Sequence, residues 1–225
     1  MKSMELELFE TEDGSHSIFV PSLNERYHSF HGAINESKHI YIEAGLNFKQ
    51  LSNKKIKILE IGFGTGLNSY LTLLDSSEKK QTINYTALEP FPLSKELYSH
   101  LNYPKIIAKS EVEKKQFELL HSCEWNIPQE ITKQFTLLKL IKTVQEFETD
   151  QKFDLIYFDA FAPEIQPFMW TKEIFEKLFF AMQPSAILVT YCAKGVLKRT
   201  LKEVGFTVEN LPGPIGKREI IRAVK

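Results

Sequence analysis

Three apolar segments of this chain end in a carboxylate, and the first opens into alternating glycines. Glu60 precedes Gly62, Gly64 and Gly66, Glu89 closes the run Ile83 to Leu88, and Asp159 closes Phe153 to Phe158. Glycines spaced by two allow a tight strand-to-helix turn, positive φ, and close approach of backbone N–H groups to a ligand. A dinucleotide site would carry Gly-x-Gly-x-x-Gly, with a small residue where Leu67 stands here, so that fingerprint fails and a different nucleoside cofactor is expected. Glu89 lies about where doubly wound folds place the acid that binds a ribose diol, one carboxylate accepting from two vicinal hydroxyls. Asp159, beyond the end of a buried strand, is placed for chemistry. A ligand-free glycine turn, a solvated Glu89 and a turn-capping Asp159 are the plain alternatives.

These groups need strands to carry them. The alternation of short apolar runs with longer amphipathic ones predicts an α/β fold. Strands are expected at Ile56 to Ile61, Ile83 to Leu88, Phe135 to Leu140, Phe153 to Phe158 and Ala186 to Tyr191. Helices are expected at Leu67 to Leu74, Ser94 to His100, Lys172 to Met182 and Val196 to Val204, with a helix-prone stretch from Glu111 to about Ile131. Two closing strands, Phe206 to Glu209 and Glu219 to Val224, joined through Leu211 to Gly216, suit an antiparallel edge on a mostly parallel sheet. Residues 1–51 read as a small N-terminal extension, with Ser17 to Val20 and His39 to Glu43 as strands, and residues 52–225 as the main domain.

Composition narrows the class. A chain of 225 residues with 43% hydrophobic and 25% charged residues is an ordinary globular one, able to bury a sizeable core. Its formal net charge of −1 excludes a global field for polyanions. Charge is nonetheless uneven: Glu5, Glu7, Glu10, Glu12 and Asp13 open the chain, and Lys194, Lys198, Arg199, Lys202, Lys217 and Arg218 lie near its end. Cys123 and Cys192 form no Cys-x-x-Cys pair, consistent with a reducing compartment and no zinc site. With no apolar run of ~18 residues and no signal-like start, a cytoplasmic protein without membrane contact is expected. His28, His31 and His39 permit but do not specify metal binding, and no metal is expected.

The acid followed by Gly-x-Gly-x-Gly resembles motif I of class I S-adenosylmethionine (SAM) methyltransferases, whose Rossmann-like fold binds a nucleoside without phosphate. The segments Glu60 to Asn68, Glu89 to Leu93, Asp159 to Pro163 with Met169-Trp170, and Gly216 to Glu219 are together similar to the methyltransferase domain of the bifunctional tRNA 5-methylaminomethyl-2-thiouridine biosynthesis proteins. The resemblance runs from about Ile34 to the end. It implies SAM-dependent N-methylation of 5-aminomethyl-(2-thio)uridine at the tRNA wobble position. No FAD-dependent oxidase domain lies in this chain, so a stand-alone form acting on tRNA that already bears the free amine is expected.

On that footing Glu60, Gly62, Gly64, Gly66, Asn68, Glu89 and Asp159 are the expected SAM-binding residues, with the glycines at the methionine part, Glu89 at the ribose and Asp159 as the catalytic group. Phe161 and Trp170 are candidates for contact with the target base, and Lys217 and Arg218, joined by Lys194, Lys198 and Arg199, for tRNA phosphate. Core packing for the aromatics and a solvated basic surface are the alternatives. Many class I enzymes place an acid after the third core strand for the adenine amino group, but Leu140 to Thr143 offer none. An aminopropyl transferase, or a methyltransferase acting on a protein or small molecule, would use the same fold.

Overall fold

The computed structural model describes residues 6–48 and 55–225. The boundary placed at residues 51 and 52, and Glu5, lie outside the described residues. The elements in chain order are β1 (Glu7–Glu10), β2 (His16–Val20), β3 (Glu25–Arg26), α1 (Ala33–Ser37), β4 (Lys55–Ile61), α2 (Leu67–Lys79), β5 (Thr82–Leu88), α3 (Lys95–Tyr98), α4 (Tyr103–Ile107), α5 (Glu111–Ser122), β6 (Gln129–Thr132), β7 (Phe135–Leu140), β8 (Phe153–Phe158), α6 (Lys172–Phe180), β9 (Met182–Thr190), α7 (Gly195–Val204), β10 (Thr207–Pro212) and β11 (Glu219–Val224).

Eight strands form one sheet in the order β10-β11-β9-β8-β4-β5-β7-β6. The five central strands, β9, β8, β4, β5 and β7, run parallel. Antiparallel β11 and β10 close one edge, as the sequence predicts, and β6 lies antiparallel to β7 at the other. The chain goes from β4 outward to β5 and β7, then returns to β8 on the other side of β4. The strand order therefore reverses beside β4, where open α/β sheets hold their ligands.

Alternate residues of each strand feed two cores. Ile56, Ile58, Tyr85 and Tyr157 pack with α2 and α5 on one face, and Leu59, Ile61, Ile156 and Phe158 pack with α6 and α7 on the other. Strands β1 to β3 make a separate antiparallel sheet. The run His39 to Glu43, expected as a strand, lies instead in a wide helical segment, Lys38–Leu46, that continues α1. Asn47 N–H reaches back five residues to Ile42 O (2.8 Å). Ile40, Tyr41 and Ile42 are all buried because this segment is wedged against β8, β9 and α2, and such short apolar runs carry no period that tells strand from helix.

Other boundaries move for local reasons. Helix α5 stops at Ser122, where Cys123 turns to extended backbone, and past Asn126, which takes positive φ, and Pro128 the chain forms β6 rather than helix. Helix α6 ends at Phe180, and β9 starts at Met182, earlier than expected, with a register shift where Pro184 and Ser185 interrupt its pairing with β8. No helix among the described residues is long and apolar enough to cross a membrane.

Candidate active site

Strand register decides which groups meet. Ile61, the last residue of β4, is paired with Leu88 of β5 on one side and Phe158 of β8 on the other. The next residue of each strand is Gly62, Glu89 and Asp159, so the three emerge side by side at the carboxyl edge. Gly62 N–H donates to Leu88 O (3.0 Å), and Asp159 N–H donates to Ile61 O (3.0 Å).

Gly62, Gly64 and Gly66 all have positive φ, at 92°, 48° and 70°. At Gly62 a Cβ would also stand 2.6 Å from Asp159 O, and at Gly66 one would stand 2.8 Å from His121 Nε2. The cradle is thus formed by missing side chains as well as by backbone freedom.

The Glu89 carboxylate accepts from Gly64 N–H (2.9 Å) and Phe91 N–H (2.8 Å), bridging the glycine loop to the turn after β5. Burial raises its carboxyl above the usual range, and those two backbone donors oppose the rise. Glu60 faces inward beneath the loop, fully buried, with neither carboxylate oxygen in hydrogen-bond geometry with a partner. Burial, then the nearby Asp159, raises Glu60 well above the ordinary carboxylate range, which favours the neutral acid.

Asp159 accepts from Asn68 Nδ2 (2.9 Å) in the first turn of α2. Burial lifts its carboxyl from 3.8 to about 6, while Tyr41 and Asn68 favour the anion. Asn68 Oδ1 is itself buried without a hydrogen-bond partner, and the Tyr41 hydroxyl, close enough to favour the anion, stops short of hydrogen-bond geometry, so polar atoms around Asp159 remain unsatisfied.

All of these groups except the inward-facing Glu60 and Gly66 border one cavity of about 1210 Å3. Lys142, Thr143 and Val144, from the turn that lacks an acid, border it too. The donor set, the glycine cradle and the orphaned Asn68 Oδ1 fit a ligand that carries an amino acid and a ribose.

The remaining candidates divide. Phe161 lines the cavity and packs edge-on against Tyr27, with ring centroids 5.3 Å apart. Trp170 does not line it: the ring is buried against Phe158 and Phe175, and its indole N–H donates to Phe161 O (2.8 Å), supporting Phe161 from beneath. Lys217 reaches the cavity, 3.1 Å from Glu36 and 4.3 Å from the Tyr191 ring centroid. Arg218 is exposed and borders a smaller neighbouring hollow of about 370 Å3 with Lys194 and Lys217. Lys194 is paired with Glu164, and Lys198 with Glu219. The three histidines do not converge: His28 meets Ser17 Oγ, His31 meets Glu12, and His39 meets Pro212 O.

Sequence reasoning missed Tyr27, Glu36, Tyr41 and Tyr191 as cavity residues. Tyr191 is the first residue after β9, so the strand-end rule that selects Asp159 also selects it. The other three come from residues 6–48, where no motif marks them. His28, there considered only for a metal, lines the cavity as a neutral imidazole that burial lowers to about 4.

Residues 109–225 match the model of a family described as S-adenosyl-L-methionine-dependent methyltransferase. The chain belongs to that family. SAM is accordingly its cofactor, and the site fits it. Among curated relatives, the tRNA 5-methylaminomethyl-2-thiouridine biosynthesis bifunctional protein MnmC of Leptospira interrogans is 30% identical over 208 residues, 87% of this chain and 32% of that protein. The protein of the same name from Campylobacter hominis is 28% identical over 209 residues, 92% of this chain and 31% of that protein. The chain thus spans about a third of the length of these relatives. The crystal structure of MnmC2 from Aquifex aeolicus superposes with a TM-score of 0.80 at 24% identity, covering 99% of this chain and 70% of that one. Spermidine synthase from Thermotoga maritima shares the fold at a TM-score of 0.59 and 15% identity, covering 98% of this chain and 69% of that one.

Proposed function

We propose that this methyltransferase transfers a methyl group to the nitrogen of 5-aminomethyl-(2-thio)uridine at the wobble position of tRNA. The observation that carries the reading is Asp159, a carboxylate lifted to about 6, held by Asn68 beside the glycine loop and open to the cavity. The names of the curated relatives supply the tRNA and the modified base.

When bound, SAM supplies a methyl group made electrophilic by its sulfonium, the C–S electron pair leaving to sulfur as the new N–C bond forms. Gly62 and Gly64 offer backbone to the amino-acid part, and Glu89 lies where a ribose diol can exchange for its backbone donors. Asp159 then has two tasks, orientation and proton removal. Orientation is the larger, worth up to ~7–11 kcal/mol in good intramolecular cases. An alkylamine has a pKa near ~10 and, as an ammonium, no lone pair. An ionised Asp159 alone would favour that ammonium, so it helps only by accepting the proton as well as fixing the nitrogen. The Lys217 charge, which acts on Asp159, opposes the ammonium form. Phe161 and Tyr27 wall the cavity with rings on which a base can lie, and Lys217 and Arg218 face where tRNA phosphate would pass.

The test is incubation of the purified chain with methyl-labelled SAM and tRNA carrying the free aminomethyl group, followed by nucleoside mass spectrometry. Label is expected on the wobble nucleoside. Failure to label that tRNA by a chain that binds SAM would refute the substrate, and turnover of putrescine with decarboxylated SAM would favour aminopropyl transfer instead.

A further inference from the structure

On the side of the glycine loop away from the cavity lies a buried polar group that the proposed chemistry does not use. Lys139 occupies an inward position of β7, in the same row as Phe135 and Leu137, and is fully buried. Among the described residues no carboxylate lies within ion-pair distance of it. Removing an ammonium from water without a counter-charge costs several kcal/mol, and burial accordingly lowers this amine below the ordinary lysine range, with the neighbouring Cys123 thiol opposing the drop. Nζ donates to His121 O (2.6 Å) at the end of α5 and sits 4.5 Å from the Trp125 ring centroid and 5.5 Å from that of Phe63. Its carbonyl accepts from Asn126 N–H (2.6 Å). One lysine thereby pins the segment from His121 to Asn126 at both ends.

That segment in turn holds the loop. His121 Nε2 lies 3.0 Å from Thr65 O, and because a carbonyl can only accept, Nε2 carries the proton. The imidazole stacks on Tyr98 at 4.4 Å between centroids and packs edge-on to Phe63, which also meets Trp125 edge-on at 6.0 Å. Phe63, Thr65 and Gly66, three of the five residues between β4 and α2, therefore rest on His121 or Trp125. The third glycine is dictated from this side as well, since a Cβ there would strike His121.

We infer that His121 and Lys139 are positioning residues that brace the SAM loop from behind, fixing Thr65 O so that the loop backbone bordering the cavity from Gly62 to Thr65 is held in one conformation for the cofactor. Burial lowers the imidazole to about 3, so the donor form persists across the working pH range. The brace concerns cofactor binding and is independent of which nitrogen is methylated.

The experiment is calorimetric titration of the full chain with S-adenosylhomocysteine, alongside thermal unfolding and the KM for SAM. His121→Phe keeps the ring volume and stacking but loses the donor, and should weaken binding about tenfold or more and raise KM while kcat at saturating SAM stays within about threefold. His121→Gln, whose amide can donate to the same carbonyl, should recover most of the affinity. Lys139→Met removes the buried charge and should leave unfolding cooperative while weakening S-adenosylhomocysteine binding; it carries the test alone if His121→Phe does not fold. Parental affinity in a folded His121→Phe or Lys139→Met protein would overturn the brace. So would a His121→Gln protein as weak as His121→Phe.

Discussion

Replacing Asp159 by Asn should stabilise the protein while abolishing its chemistry. Burial raises this carboxyl from 3.8 to about 6. With the folded value above the unfolded one, stability from the protonated acid is fully present below about pH 4 and is lost as pH rises through about 6. At about 1.36 kcal/mol for each pH unit, the ionised group costs at most about 3 kcal/mol above that window. The side chain keeps some surface open to the cavity, which screens the charge, so about 1–2 kcal/mol is the expected value. For a chain of this size that corresponds to a rise of ~3–6 °C in melting temperature at pH 7.5. At pH 4 the parent and Asp159→Asn should unfold at nearly the same temperature. The amide still accepts from Asn68, so the pocket geometry survives while the proton acceptor is gone. Methyl transfer should fall by two or more orders of magnitude with S-adenosylhomocysteine affinity within about threefold of the parent. In the parent, kcat/KM should drop about tenfold between pH 7 and pH 5 as the carboxylate is protonated. A melting difference independent of pH, or undiminished turnover by Asp159→Asn, would refute the reasoning.

Glu89→Gln should weaken S-adenosylhomocysteine binding by about tenfold to a hundredfold, because the amide offers the ribose diol one uncharged acceptor oxygen where the carboxylate offers two charged ones; calorimetry at pH 7.5 measures it, and parental affinity would remove Glu89 from the site. Lys217→Ala and Arg218→Ala should each weaken tRNA binding and lower the slope of log affinity against log salt by about 1, with free SAM binding little changed for Arg218→Ala. Filter binding at several salt concentrations reads this, and an unchanged slope would exclude a phosphate contact.

Much of residues 55–225 was legible because many elements there carried their own local signal. Gly62, Gly64 and Gly66 mark a backbone that must take positive φ, and acids at the ends of apolar runs mark strand ends, whatever the rest of the chain does. The α/β class and the strands β4, β5, β7 and β8 followed from the alternation of short apolar runs with longer amphipathic ones, and the antiparallel C-terminal edge from the turn residues Leu211 to Gly216 that join its two strands. The N-terminal contribution was not legible. Ile40-Tyr41-Ile42 reads equally as strand or helix, and only its burial against β8, β9 and α2 makes it a wide helix that turns Tyr41 toward Asp159.

Trp170 shows the opposite failure: an aromatic near a carboxylate in sequence looks like a base platform, but the packing around Phe158 turns it into the core and leaves Phe161 at the cavity. Lys139 and His121 carried no pattern at all, since 18 positions separate them and their meeting beneath the loop depends on α5 docking beside β7. By itself the sequence determined which backbone could cradle a nucleoside and which acids stood at strand ends, because both are consequences of local stereochemistry. Only the tertiary structure decided that Glu89, Asp159 and the loop share one edge, that residues from the first 48 close the cavity over them, and that burial rather than sequence sets the ionisation of Asp159. Those properties arise from strand order, register and desolvation, and each is a relation between segments distant along the chain.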